Sequence, residues 1–302
     1  MKYILVLFSL WANFAHGQYT LGLNLEKGNT YFLKINATIH FNGEMNGQKM
    51  SINSTMTGIT RFKVVKVSDL EYELEANYDS LDLTIKTPMG KMEFSSGNSS
   101  QDNDSTSGSL NMIASQRFKV VLLKNGAVSK IENHDTSGFS AILRNFPLPD
   151  GIKKMLLMGP FKKSFSSQAL KENMEKFTAI FPNKKVSLNE SWGSVIQPDS
   201  GTDNSIKTSY KLVDYKSGAA TIKGHSESKA SSTQKQGNGF PAIYNLEGES
   251  ESTIQVNTIT GWIKSADIRN ELKGQVQLKN PLMKQAKAIP IQIIVNAKIS
   301  SF

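Results

Sequence analysis

Between Tyr31 and Phe41 the odd positions Tyr31, Leu33, Ile35, Ala37, Ile39 and Phe41 are apolar, with Lys34, Asn36, Thr38 and His40 between them. Period two is the mark of a half-buried strand, because successive side chains leave a pleated backbone on opposite faces. Gly43 to Gly47 reads as a polar turn, after which Met50, Ile52, Met56, Phe62 and Val64 share even parity, so the two runs predict a long hairpin. Ser68-Asp69 turns the chain again into Tyr72, Leu74, Ala76 and Tyr78, alternating with Glu71, Glu73, Glu75 and Asn77. Past Tyr78 the apolar set becomes Leu81, Leu83 and Ile85, a change of parity that predicts a bulge near Asp79-Ser80.

Ser95 to Ser109 is a Ser/Asn/Asp/Gly tract without an apolar anchor and predicts a loop. Phe118, Val120 and Leu122 then lead through Asn125-Gly126, a strong hairpin signal, to Val128 and Ile131. From about Asp135 to Pro182 the period becomes helical. Phe139, Ile142, Leu143 and Phe146 share one helical face that Pro147 ends, Ile152 to Met158 ends at Gly159-Pro160, and Leu170, Met174, Phe177 and Phe181 recur at helical spacing before Pro182. Strand signals return at Ile206, Thr208, Tyr210 and Leu212, then Ala220 and Ile222. A second polar tract runs from about Ser226 to Gly239. Ile254 and Val256 precede a turn at Thr260-Gly261, followed by Trp262, Ala266, Ile268 and Leu272, and Ile289, Ile291, Ile293, Val295, Ala297 and Ile299 form one face of the last strand.

The fold class expected is mainly β, with antiparallel curved sheets or barrel-like halves and a short helical insert at about 135–182. The chain divides into a signal segment at 1–17, an N-terminal β half at 18–134, the insert, and a C-terminal β half at 183–302. The arms Phe62 to Tyr78 and Tyr210 to Gly224 are each followed by a polar tract, a strand, a Gly turn and a returning strand. That shared script is read as a diverged internal duplication around the helical insert, with ordinary meander alternation as the alternative.

Met1 to Gly17 has a positive start at Lys2, an apolar stretch from Tyr3 to Phe14 and a small-x-small site at Ala15-His16-Gly17, the layout of a cleaved secretory signal. The apolar stretch is well short of the roughly 20 residues of a membrane-spanning helix. The expected location is therefore periplasmic, cell-surface or secreted. With Cys 0, neither disulfides nor thiol chemistry nor a lipidated cysteine is available. The net charge of +9 is spread over scattered lysines, with doublets at Lys153-Lys154, Lys162-Lys163 and Lys184-Lys185. It reads as solvated surface ahead of an anion-binding patch.

Catalytic signals are sparse. His40, His134 and His225 are the histidines beyond the signal, and no two stand at a metal-ligand spacing. His134-Asp135 has no accompanying Gly-x-Ser-x-Gly elbow, and Ser137 reads as a helix cap. The rows Glu71/Glu73/Glu75 and Glu247/Glu249/Glu251 lie at alternate positions, so each points one way into water instead of converging across a cleft. No phosphate loop, dinucleotide fingerprint or calcium loop occurs, and basic residues are not interleaved with aromatics as nucleic-acid stacking requires. No cofactor, metal, catalytic residue or nucleic-acid partner is expected. The informative apolar excess is the insert, with Phe139, Phe146, Met155, Leu156, Met158, Phe161, Phe165, Met174 and Phe177. Such side chains either pack on the open side of the sheet as core or line a cavity for an apolar ligand.

Several segments resemble an uncharacterised family of secreted domain-of-unknown-function proteins of Bacteroidetes-type bacteria. They are Tyr19-Thr20-Leu21 with Lys27 to Tyr31, Phe62-Lys63-Val64 through Tyr72 to Ser80, Gly126-Ala127-Val128, Phe181 to Val186, Ser191-Trp192-Gly193 and Thr260-Gly261-Trp262. The resemblance implies export and β architecture, and assigns no site. A looser likeness is to lipoprotein-carrier (LolA/LolB-like) half-barrels, where a curved sheet closes over an apolar cavity; fold analogy alone is no evidence of function. Three readings follow: an exported non-enzymatic protein binding an apolar or amphiphilic ligand such as a lipid, an envelope scaffold with a protein partner, and an unrecognised hydrolase. Oligomeric state is not legible.

Overall fold

The alternating runs build long strands in the computed structural model, which describes residues 17–45, 48–88, 90–97, 105–135, 166–196, 206–235, 241–278 and 287–302. In chain order these are β1 (Gln18–Tyr19), β2 (Thr30–Met45), β3 (Gln48–Val67), β4 (Glu71–Thr87), β5 (Gly90–Ser95), α1 (Ser105–Ala114), β6 (Arg117–Leu123), β7 (Val128–Glu132), α2 (Ser167–Thr178) and β8 (Val186–Ser187). They continue as β9 (Ser191–Ile196), β10 (Ile206–Lys216), β11 (Ala219–Lys235), β12 (Pro241–Asn257), β13 (Ile263–Leu278) and β14 (Lys287–Ser301). β1 and β8 form a two-residue antiparallel pair of their own.

The other twelve strands make one antiparallel sheet, in the order β7-β6-β4-β3-β2-β14-β13-β12-β11-β10-β9, with β5 beside β4. Apart from β5, each strand pairs with its neighbour in the chain. The C-terminal β14 returns to pair with β2, from Ile291 opposite Gly43 to Ser301 opposite Leu33. Among the described residues β7 and β9, successive strands of the main sheet, are the two ends of this order and are not hydrogen-bonded to each other. The fold expectation of curved antiparallel sheet holds, with both β halves in one continuous sheet.

Register puts the apolar parity on a single inner face. Val64 lies opposite Leu74, Leu74 opposite Val120, Ile222 opposite Ile254 and Ile35 opposite Ile299. The bulge predicted near Asp79-Ser80 is present: Ile59 faces Ser80 while Thr60 faces Tyr78, leaving Asp79 unmatched. That extra residue keeps Tyr78 and Leu81 on the same face although their numbers differ in parity. The main core gathers Leu33, Val64, Tyr72, Leu74, Val120, Leu122, Leu212, Ile222 and Ile254, none more than 1% exposed, at one end of the sheet. Each such side chain contributes about 1.5–3 kcal/mol by leaving water. The N-terminal segment lies over this end. Leu21, Leu23 and Leu25 are buried, Tyr72 donates its hydroxyl to Leu23 O (2.8 Å), and Asn24 N–H donates to Thr260 O (2.8 Å).

One expectation is corrected. The tract Ser95 to Ser109, whose composition predicts a loop, is helical from Ser105, where α1 begins. Leu110 and Ile113, at 2% and 0% exposed, seat this helix on Ile52, Leu81, Leu83 and Ile85 at the far end of the sheet. The second polar tract is strand as far as Lys235, held by an unbroken ladder to β12 from Ala219 opposite Asn257 to Lys235 opposite Pro241. Within the insert, α2 matches the third helical segment; the segments around Phe139 to Phe146 and Ile152 to Met158 lie outside the described residues.

Candidate functional site

The gap between β7 and β9 is filled by α2. Ser166 caps the helix, its hydroxyl oxygen accepting Ala169 N–H (3.1 Å), as the preceding-residue serine of a helix does. Met174 and Phe177, one helical turn apart, turn into the main core at 3% and 4% exposed. Glu175, 8% exposed, accepts Val128 N–H through Oε1 (2.9 Å), tying the helix to edge strand β7. Burial pushes the Glu175 carboxyl above its ordinary range, and the Val128 hydrogen bond draws it back in part. Just past the helix, Ile180 O accepts Trp192 Nε1–H (2.9 Å), tying the segment to the opposite edge strand β9. The hairpin turn between β6 and β7 abuts the helix end so closely that a Cβ on Gly126 (φ +86°) would stand 1.7 Å from Thr178 O.

On the inner side of α2 lies a small hollow of about 120 Å3. Glu172 and Lys176 of the helix form one wall. The sheet supplies Thr208 and Tyr210 from β10, Ser226 and Ser228 from β11, Ser250 and Ser252 from β12, and Ile268 and Asn270 from β13. Register explains the hydroxyls: Ser226 faces Ser250, and Ser250 faces Asn270 across the next ladder. Gly224 leaves room for the Tyr210 ring, since a Cβ there would lie 2.7 Å from Tyr210 Cε1. Burial pushes the Tyr210 hydroxyl up to about 12 and lowers the Lys176 ammonium, because both charged forms lose water. Next to this hollow the inner face is apolar but half-buried, with Ala37, Ile39, Phe41, Met56, Leu272, Ile293 and Val295.

The outer side of the same gap is a groove of about 670 Å3, running from Asn125 and Ala127 across Gln168, Lys171 and Glu175 to Trp192, Gly193, Ser194 and Val195. Among the described residues, β9 has a hydrogen-bonded neighbour on one side alone, β10. Val195 is 60% exposed.

Of the residues singled out from sequence, Met174 and Phe177 come together in the main core and do not line the hollow. Phe139, Phe146, Met155, Leu156, Met158, Phe161 and Phe165 lie outside the described residues. Lys176, Ser226, Ser228, Ser250 and Ser252 were not singled out; the signal available was the alternation of serine with Glu227, Lys229, Glu249 and Glu251. The carboxylate rows do lie on the outer face. Glu73 pairs with Lys66 (2.7 Å) and Lys119 (3.4 Å), Glu247 with Lys229 (3.2 Å), and Glu251 Oε1 lies 3.1 Å from His225 Nδ1. His40 Nδ1 lies 2.5 Å from Asn53 Oδ1 on the polar side of its strand. His134 Nε2 meets the Tyr78 hydroxyl (3.1 Å), its ring edge-on to Phe118. Burial lowers its pKa against the opposing pull of Asp135. Among the described residues no three His, Asp or Glu side chains gather to hold a metal ion. Nor is any described helix long and apolar enough to cross a membrane, which says nothing of strands.

Fold and site together define a class: an open antiparallel meander sheet with a helix between its two ends, a hydroxyl-lined hollow inside and, among the described residues, a strand edge outside that pairs on one side alone. The chain belongs to a family of unknown function (DUF6263), which matches residues 69–263. No curated protein matches it. Among solved structures it is similar to lipovitellin, described for its lipid–protein interactions, at 10% identity and TM-score 0.49, covering 92% of this chain and 25% of that one. It thus spans about a quarter of lipovitellin's length. A COG4313 outer membrane channel from Pseudomonas putida F1 gives 8% identity and TM-score 0.25, covering 93% and 97% of the two chains. OpdQ from Pseudomonas aeruginosa gives 6% and 0.20, covering 91% and 99%. At these scores the likenesses carry no argument about ligand or partner.

Proposed function

We propose that this chain is an exported, non-enzymatic binding module that holds an amphiphilic ligand, of which a lipid is the type, along the concave face of its sheet. The observation that supports this reading is the division of that face. Ala37, Ile39, Val295, Ile293 and Leu272 remain half-buried, and beside them lies a hollow walled by hydroxyls and by Glu172 and Lys176. Apolar walls with a few convergent polar groups are the ordinary make-up of a small-molecule site. Export rests on the signal-like Met1 to Gly17. Native mass spectrometry of the gently purified protein should show a co-purified amphiphile, and a fluorescent fatty acid should be taken up. Reproducibly ligand-free protein that also ignores the probe would refute the reading.

A second reading, an envelope interaction module, is favoured by the edge of β9 that has no strand partner among the described residues and lies above its groove. An extended partner segment gains main-chain hydrogen bonds by adding to such an edge. A photo-crosslinker at Val195 should then recover one protein repeatedly from native envelopes. Scattered or absent products would sink it.

A further inference from the structure

On the outer face of the sheet several lysines stand beside carboxylates: Lys119 by Glu73 and Glu132, Lys130 by Glu132, Lys273 by Glu271. Lys176, half-buried on the inner side of α2, is different. Its Nζ donates to Asn173 Oδ1 (3.0 Å) on its own helix, and among the described residues no carboxylate comes within ion-pair distance. Glu172, four residues earlier, opposes in part the loss that burial imposes on the Lys176 charge, but it makes no ion pair with it and its Oε1 accepts Gln168 Nε2–H (2.9 Å). An ammonium carries three donors, so two of those on Lys176 remain for a guest. The wall opposite is built of groups that donate hydrogen bonds and bear no charge: Thr208, Ser226, Ser250 and Asn270.

Size narrows the guest. A cavity of about 150 Å3 just accepts a benzene ring, so the hollow of about 120 Å3 takes a compact polar head and not an acyl chain. The exit is apolar: Ile268 lies in the wall and faces Ala297 across the ladder, and Ala297 faces Ala37 across the next.

Building on the proposed amphiphile binding, we infer that the hollow receives the oxyanion head, carboxylate or phosphate, of an acidic amphiphile. Lys176 supplies the counter-charge, the Thr208, Ser226 and Ser250 hydroxyls supply neutral hydrogen bonds, and the chain leaves past Ile268 onto the apolar strip. An anion there restores to Lys176 part of what burial takes from its charged form.

The test uses the full chain titrated at neutral pH with a fluorescent fatty acid and with its methyl ester, identical but for the charge. Wild type should bind the acid about tenfold or more tightly than the ester. Lys176→Met should bring the ratio to about one while leaving the ester's affinity unchanged, Lys176→Arg should restore the preference, and Lys171→Met, on the groove side of the same helix, should leave it intact. Displacement by a lysophosphatidate at lower concentration than by free fatty acid assigns a phosphate head, and the reverse order assigns a carboxylate. Equal binding of acid and ester by wild type, or a preference that survives Lys176→Met, overturns the head-group inference alone. Failure of both probes to bind overturns the amphiphile reading and this inference with it.

Discussion

The contact between the Asn125-Gly126 turn and the end of α2 yields a measurement with its control built in. Gly126 has φ +86° and would place a Cβ 1.7 Å from Thr178 O, whereas Gly28, with φ +93°, has nothing within 4 Å of the same position. Both glycines sit where an L side chain is disfavoured, so Gly→Ala at either site should cost about 1 kcal/mol for backbone conformation alone. At Gly126 the methyl must also recede to the roughly 3.5 Å of van der Waals contact. The turn and the helix end must therefore part by about 2 Å. The Val128 N–H to Glu175 bond, 2.9 Å long, does not survive that separation, and losing a hydrogen bond to a buried acidic group costs about 1.5–3 kcal/mol. Gly126→Ala should therefore destabilise by about 3 kcal/mol and Gly28→Ala by about 1 kcal/mol, read as a difference in urea midpoint at unchanged slope. If the two variants lose the same stability, α2 is not seated on the turn, and the account of how the gap is closed fails with it.

Glu175→Gln keeps an oxygen for Val128 N–H and removes the titration. Because burial raises the Glu175 pKa in the fold, wild type should lose stability relative to this variant as pH rises from the ordinary carboxylate range through the raised value; a constant difference in Tm across that window would contradict it. His134 carries the opposite sign. Its pKa is lowered in the fold, so its contribution is present above the ordinary histidine range and is lost as pH falls below it, and His134→Gln should flatten that acid limb in Tm against pH. Trp192→Phe removes the donor to Ile180 O and should cost about 1 kcal/mol, with faster amide exchange in α2 as the local readout. Leu110→Ala, at a site 2% exposed in the far cluster, should cost about 2–5 kcal/mol, and a loss below 1 kcal/mol would mean that α1 is not docked as described.

Parity in the sequence was enough to locate β2, β3, β4 and β14, and even the Asp79 bulge, because most of their inner residues are apolar and most of their outer ones polar; in β3 the inner Ser54, Gly58 and Thr60 interrupt the run without erasing it. The same method failed where the inner face is itself polar. From Ser226 to Lys229 of β11 serines alternate with Glu227 and Lys229, so both faces are polar, the period-two signal vanishes and the segment reads only as a polar tract. That stretch is where the hollow is built, which is why the site was the least legible part of the fold. α1 escaped for a different reason: a single apolar spacing, Leu110 to Ile113, follows a run of Ser, Thr and Gly and is too short to show a period. The pairing of β14 with β2 was also beyond local reading, since alternation says that a strand has an inner face but not which strand lies beside it.

The gap itself ties the two functional readings together. β7 and β9, at 5 and 6 residues, are the shortest strands at the ends of a sheet whose centre contains strands of 16 and 20, so the meander runs out of ladder before it can close. A helix satisfies its own backbone hydrogen bonds and can fill such a gap without joining either edge. Among the described residues it leaves β9 paired on the β10 side alone, and its residues Glu172 and Lys176 line the hollow with the hydroxyls of β11 and β12. A strand in that place would have completed the barrel and removed both features. Seating of α2 and recognition by α2 should then separate by mutation. Lys176→Met should abolish the acid preference at wild-type urea midpoint, whereas Gly126→Ala should weaken acid and ester binding together as it lowers the midpoint. If Lys176→Met lowered the midpoint as far as Gly126→Ala does, Lys176 would be holding the helix in place and the hollow would have no claim on a ligand.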